Sequence, residues 1–548
     1  MHTPPLRKLL LVSAIAMTLS ACGGSDTPPD PVVPVVPPAP VVEAGDTVML
    51  TASNKLASIN LDTPASLRTN VAVTGLQAGE VLLGIDYRPL DGNLYGVGSS
   101  GRVYTLNPTT GAATLKSTLT ADATDATAPF TALAGTEFGV DFNPVADRLR
   151  VVGSLGQSLR INVDTGATIT DGSINGGAAS TAINAAAYTN SFAGTATTTL
   201  FVIDAPNSTL YTQNPPNNGT LATPVPLGVA AAVVGGFDID ARNNRGYAVM
   251  TVGGARNLYS VNVGATAGAA TMVAPLGVSE DIKGLAIRSP QAPSVFGLTD
   301  SARLVSFKPL TPATLDLDVA ITGLATGEKL LGIDIRPKDG LLYALSSTGR
   351  LHTINTTTGA ATFKFALAAD VADLTLPFSI IAGTEFAVDF NPVADRLRVI
   401  GNTGQSLRIN VDTGATTTDG SINRAGATPV VTAGAYTNSF AGTTATMLMV
   451  LDNESDNLAL VNPPNDGTLT NIGALGVDLS GDGGMDIAGG ANGLALASLR
   501  TAGVGPSRLY RVDLATGAAV PFNGAANAAL SVIGAGTANV IDIAVSLK

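Results

Sequence analysis

The chain has 548 residues, no Trp, one Cys and two His, and its 30 Lys and Arg against 42 Asp and Glu give a formal charge of −12. A zinc site needs three or four Cys or His ligands, and a thiol or Ser-His nucleophile needs a placed Cys or His, so the composition excludes both. No dense Lys/Arg run is present to release counterions from phosphates, so nucleic acid is not an expected partner.

At the N-terminus, Arg7 and Lys8 precede an apolar stretch, Leu9 to Leu19, that is too short to span a bilayer. Leu19-Ser20-Ala21-Cys22 follows and resembles a bacterial lipobox. The resemblance implies that residues 1–21 are a signal peptide and that Cys22, the single cysteine, carries the lipid. Removing residues 1–21 with Arg7, Lys8 and His2 lowers the formal charge from −12 to −14 and leaves His352 as the one histidine. By similarity to Gram-negative lipoprotein sorting, Gly23 implies the outer membrane, on its periplasmic or its cell-surface side. Residues 22–43 alternate Pro with Val and Ala, which predicts an extended stalk because proline fixes φ and donates no hydrogen bond.

Beyond the stalk the chain repeats itself. Gly84-Ile85-Asp86-Tyr87-Arg88-Pro89 returns as Gly332-Ile333-Asp334-Ile335-Arg336-Pro337, and Asp141 to Arg150 returns unchanged as Asp389 to Arg398. Tyr188 to Phe192 returns as Tyr436 to Phe440, and every pair is 248 residues apart. A shorter period lies inside each copy. Small-plus-apolar strand openings recur at Gly84, Gly139, Ala187, Gly236 and Gly284, so five units make one copy.

Within a unit, period-two segments such as LLGIDYRP, LYGVGS, RVYTLN and AATLKSTL are separated by Asn/Pro/Gly turn signals. Four short antiparallel strands per unit predict an all-β chain of tandem five-bladed β-propellers. The first unit, Val48 to Leu76, lacks an innermost strand, whereas Ile282–Ile287 ends copy one and Asn539–Val545 ends copy two. Each copy can therefore close its own ring, with residues 44–290 as the first propeller and 291–548 as the second. The alternative is one ten-bladed ring, which would leave a wide, wet pore.

The strings GID-RP, GVDFNPVADRLRVV (139–152) and QSLRINVDTGAT (157–168) resemble those of a bacterial family of exported proteins catalogued as a domain of unknown function. The resemblance implies a propeller-like extracytoplasmic domain and brings no activity or functional residues.

Asp86, Asp141 and Asp238 occupy equivalent places in three blades, and Asp334, Asp389 and Asp486 repeat them. Three carboxylates converging on a channel form a hard-oxygen site, and the ion they suit is a structural calcium. The alternative is that each Asp accepts backbone N–H groups from a neighbouring blade. No other cofactor is expected.

Glu137, Asp141, Asn143, Asp147, Arg148 and Arg150, with Glu385, Asp389, Asn391, Asp395, Arg396 and Arg398, form a second cluster. Paired carboxylates there suit glycoside cleavage. The competing reading is a turn begun by Asn143-Pro144, with Asp147 and Arg148 as a solvated pair. His352 stands where copy one has Tyr104 and reads as a packing substitute. Together these features point to a non-catalytic binding or scaffolding lipoprotein of the cell envelope, with a protein or glycan ligand. The alternative is a carboxylate-dependent glycosidase or lyase acting on a polysaccharide.

Overall fold

The computed structural model describes residues 42–288, 293–489, 494–501 and 505–547. The expected signal peptide (1–21) and Cys22 lie outside the described residues, as does all of the expected stalk except Val42 and Glu43.

Ten sheets, antiparallel apart from one short edge strand in each copy, account for the described strands, five in each copy. In copy one, Ile282–Ile287 pairs with Thr47–Thr51, placing Leu285 opposite Met49, so the last strand supplies the innermost strand of the first blade. Val540–Ser546 does the same for copy two, with Ala544 opposite Phe296 of Ser294–Thr299. Both rings therefore close after five blades, and the chain is a pair of tandem propellers rather than one ring of ten.

Glycine makes that closure tight. A Cβ on Gly84 would lie 2.4 Å from Val140 of the next blade, and one on Gly139 would lie 2.5 Å from the Ala186 nitrogen of the blade after that. Only a residue without Cβ lets neighbouring innermost strands approach so closely. Larger side chains fill the wider sectors between blades. Tyr95 meets Phe142 edge to face at 5.4 Å, and Tyr343 meets Phe390 at the same distance.

The third blade of each ring carries an unexpected fifth strand. Thr120–Ala121 lies parallel to Ala167–Thr170, and Ala368–Ala369 lies parallel to Ala415–Thr418. The register of blade four also differs from expectation. Asp141 bonds to Tyr188, so Ala187 holds the place of the aspartates rather than of the glycines.

The two rings share one hydrophobic cluster. Phe192 and Ala241 of ring one are buried with Phe307, Leu494, Leu496 and Phe522 of ring two. Arg511 Nη2 donates to the Gly194 carbonyl at 2.6 Å, and its guanidinium stacks 4.7 Å from the Phe522 ring.

Candidate functional site

In Gly-Ile-Asp86, Gly-Val-Asp141 and Gly-Phe-Asp238, strand alternation turns the acid away from its apolar neighbours and toward the ring axis. The structure brings these three carboxylates together, with ligand oxygens all within 4.8 Å of one another, and all three are buried. Each is held by backbone donors. Asp86 Oδ1 accepts the Tyr87 N–H at 2.7 Å and its Oδ2 accepts the Phe142 N–H of the next blade at 2.7 Å. Asp141 Oδ1 accepts the Tyr188 N–H at 3.0 Å. Asp238 accepts from Ile239 and, across the ring closure, from Ile287, both at 2.6 Å.

Burial pushes all three carboxyls up. The Asp238 charge adds to the rise at Asp86, and the Asp86 and Asp238 charges add to it at Asp141. Asp238 is pushed up to about 7, and the Asp141 carboxyl shares a hydrogen bond with it. Protons held between these acids relieve the repulsion of like charges in a dry site.

Ring two repeats the arrangement with Asp334, Asp389 and Asp486. Phe390, Tyr436 and Val545 are the donors from the neighbouring blades, at 2.7, 3.0 and 2.6 Å. It adds a fourth buried acid that the repeat pattern conceals. Asp542 takes the register place of Gly284 and accepts the Ile333 N–H at 2.8 Å. Burial raises its carboxyl as well. The signal was present in the closing strands, Ile-Asp-Ile-Ala in copy two against Lys-Gly-Leu-Ala in copy one.

A calcium ion takes six to eight oxygens. In ring one, five of the six carboxylate oxygens already accept backbone N–H groups. This donor set fits a structural clasp between blades better than a cation.

The second cluster is assembled differently from the expected solvated pair. Asp147 pairs with Arg88 of the preceding blade through two bonds, at 2.8 and 2.5 Å. Asp164 and Asp91 complete the shell around the buried guanidinium, at 2.8 and 3.3 Å. Arg336 repeats this with Asp395, Asp412 and Asp339. Arg148 only donates to the carbonyls of Ala146 and Asp147. Asp147 meets the Arg88 guanidinium fork-on with two parallel donors, whereas the Arg148 guanidinium is turned to the Ala146 and Asp147 carbonyls.

Arg150 is fully buried and joins Asp171, Ser158, Tyr188 and Asn217, at 2.5, 3.0, 3.3 and 2.9 Å, tying blade three to blade four. Asn143 begins a turn as expected, accepting from Val145 and Ala146. Glu137 accepts from the Asn184 side chain.

The family described as Domain of unknown function (DUF4394) matches residues 55–286 and again 303–535. The chain belongs to that family. No curated protein matches it. Among solved structures it is similar to the Dos1 propeller, at 12% identity over 68% of this chain and 94% of that one, with a TM-score of 0.26. It is also similar to a chain of a nidogen/laminin complex (12%, 45% and 98%, TM-score 0.30) and to a protein from Lactobacillus plantarum (16%, 64% and 95%, TM-score 0.26).

The two DUF4394 copies differ at the buried pair that supports blade two. In the first, the Tyr104 hydroxyl donates to Glu80 at 2.5 Å. In the second, His352 Nε2 lies 3.1 Å from Glu328, so the imidazole takes over the phenol's hydrogen bond. Burial opposes ionisation of Glu328, but bonds from Ser346, the Ala325 N–H, His352 and Thr348 bring it down to about 2. His352 Nδ1 has no partner among the described residues. The pair is built for packing rather than for nucleophile activation.

Proposed function

We propose that this chain is a lipid-anchored, non-catalytic binding or scaffolding protein of the bacterial cell envelope. The observation that carries the reading is the inward consumption of the axial acids. Asp141 and Asp389, the carboxylates a glycosidase would use, are fully buried and spend Oδ1 on Tyr188 and Tyr436. A general acid must reach a glycosidic oxygen and its partner must reach water or the sugar carbon, and neither aspartate has such access. Two rigid rings tied by a common core suit presentation of outer surfaces.

The lipobox-like Leu19 to Cys22 and the Pro-rich stalk support a membrane tether, and Gly23 favours the outer membrane. Among the described residues no helix is long and apolar enough to cross a membrane.

The test is affinity capture from envelope extract with the lipidated protein, beside the Cys22→Ser variant in cell fractionation. Enrichment of a defined envelope protein or glycan and release of Cys22→Ser from membranes are expected. Turnover of a polysaccharide by purified protein, lost in Asp141→Asn/Asp389→Asn, would establish the glycosidase alternative instead.

A further inference from the structure

Duplication supplies an internal control, because a residue 248 positions away stands on the same backbone. In each copy a long loop runs from the rim of blade three to the mouth of its ring. Both loops are pinned alike. Asp125 and Asp373 accept the Thr170 and Thr418 N–H groups at 2.8 and 2.9 Å. Gln157 and Gln405 accept from Ala134 and Ala382 at 2.9 and 2.8 Å. Phe130 with Leu133, and Phe378 with Ile381, pack on the blade beneath.

The large differences are on the outward side. Ala123, Ala126, Ala128 and Ala132 of the first loop become Val371, Leu374, Leu376 and Ile380 in the second. Those four are 93%, 86%, 55% and 70% exposed, so they fill no core. Four aliphatic side chains on one ordered loop are an apolar patch that folding does not require.

The loop leads into the ring mouth, which has diverged in the same copy. At the ring-one mouth stand Lys283 and Asn184, and Asn184 donates to Glu137. In ring two Thr432 replaces Asn184 and Ile541 takes the place of Lys283. Asp482 replaces Val234, Asp300 replaces Ala52 and Lys329 replaces Val81. A cavity of about 280 Å³ here is lined by Asp300, Lys329, Glu385 and Asp482. Asn539 donates to Asp300 at 3.0 Å, and Arg500 stands 4.0 Å from Asp482. Across equivalent positions ring two gains Asp300, Asp482 and Lys329 and loses Lys283 and Asp281, with Arg500 beside them. Burial, and then the Asp482 charge, raise the Glu385 carboxyl.

Resting on the binding reading above, we propose that this face of the second ring docks a polypeptide segment that carries a basic side chain beside apolar ones. The cation enters the mouth at Glu385 and Asp482, and the apolar side chains cover Val371, Leu374, Leu376 and Ile380. Charge complementarity selects a basic partner, and the apolar loop supplies the area that a single ion pair cannot.

The experiment uses the full exported chain with Cys22→Ser and fluorescent short peptides alternating Leu with Lys, Leu with Glu, and Ser with Lys. Two variants install what copy one already carries or remove charge: V371A/L374A/L376A/I380A, and E385Q/D482V. The Leu-Lys peptide is expected to bind, and each variant to weaken it by about tenfold or more, with the other two peptides binding no better than the variants do. Absence of Leu-Lys binding, binding undiminished in either variant, or Leu-Glu peptide binding as tight as Leu-Lys would overturn the proposal. So would loop-dependent adhesion to phosphatidylethanolamine/phosphatidylglycerol vesicles in place of peptide binding, or loop-dependent dimerisation, which would assign the patch to lipid or to a second copy. Capture of envelope ligands that survives both variants would overturn this face while leaving the binding reading in place.

Discussion

The Asp86 carboxylate accepts the Phe142 N–H, 56 residues further along and one blade over, at 2.7 Å. The same clasp joins Asp141 to Tyr188 and Asp238 to Ile287, so neighbouring innermost strands are tied at their narrowest point. A carboxyl in this position accepts backbone donors and resists ionisation at once.

That conflict sets a pH dependence. Asp238 and Asp486 are pushed up by burial to about 7 and about 6, and Asp86, Asp141, Asp334, Asp389 and Asp542 are raised as well. The folded state then binds more protons than the unfolded state between the ordinary carboxyl value, near about 4, and these raised values. The stabilisation is complete below the ordinary value, and the parts from Asp486 and Asp238 are lost as pH rises through about 6 and about 7. Asp164 and Glu328 are lowered to about 2, Asp164 by its bonds to Arg88 and Lys116 and Glu328 by its bonds despite burial, and their contribution disappears only in stronger acid. Calorimetry should therefore show a melting midpoint several degrees higher near pH 5 than near pH 8, since each kcal/mol moves a ring of this size by about 2–4 °C.

Asp141→Asn should raise stability at pH 8 and leave it nearly unchanged at pH 5. The amide oxygen can accept the Tyr188 N–H, and the amide NH₂ can donate to Asp238 without a titrating proton. Asp389→Asn should act alike through Tyr436. Chemical denaturation of the single and double variants at both pH values checks the sign.

Phe192 and Phe440 occupy identical Tyr-Thr-Asn-Ser-Phe segments but meet different surfaces. Phe192 is buried with Ala488 and Phe522 of ring two, beside Gly489. Phe440 is half-buried at a cleft of about 560 Å³ shared with Asn243, Asn244 and Arg245 of ring one. Phe192→Ala should cost about 3–5 kcal/mol, whereas Phe440→Ala should cost about 1 kcal/mol. Residues 44–292 expressed alone should self-associate through the exposed Phe192, and Phe192→Ser should return that fragment to a monomer in sedimentation.

Arg150→Met should cost about 3 kcal/mol, because it removes four hydrogen bonds and strips one partner from the buried Asp171, which keeps Arg160. Arg148→Met, one strand position from the same turn, should fall within about 0.5 kcal/mol, since its side chain reaches only carbonyls. Urea unfolding of the pair separates the two roles.

The repeat of 248 residues and the spare closing strands made the two five-bladed rings legible, because the period and the missing first strand are both properties of local pattern. The inward turn of Asp86, Asp141 and Asp238 followed from alternation. The Arg88 pairing was not legible. Asp147 is 59 residues away and in another blade, and nothing in the local string favours it over adjacent Arg148. The inter-ring burial of Phe192 was hidden for a related reason. The segment is identical in both copies, and the difference lies in its receiver, polar Asn243 to Arg245 in ring one against Gly489 in ring two.

The axial acids clasp neighbouring blades, and burial raises their carboxyls. The most direct measurement is the melting midpoint of the protein and of Asp141→Asn/Asp389→Asn, near pH 7, in millimolar calcium and in excess chelator. The midpoint is expected to be the same in calcium and chelator for each protein, with the double variant the more stable. A midpoint that rises with calcium and loses that rise in the double variant would contradict it.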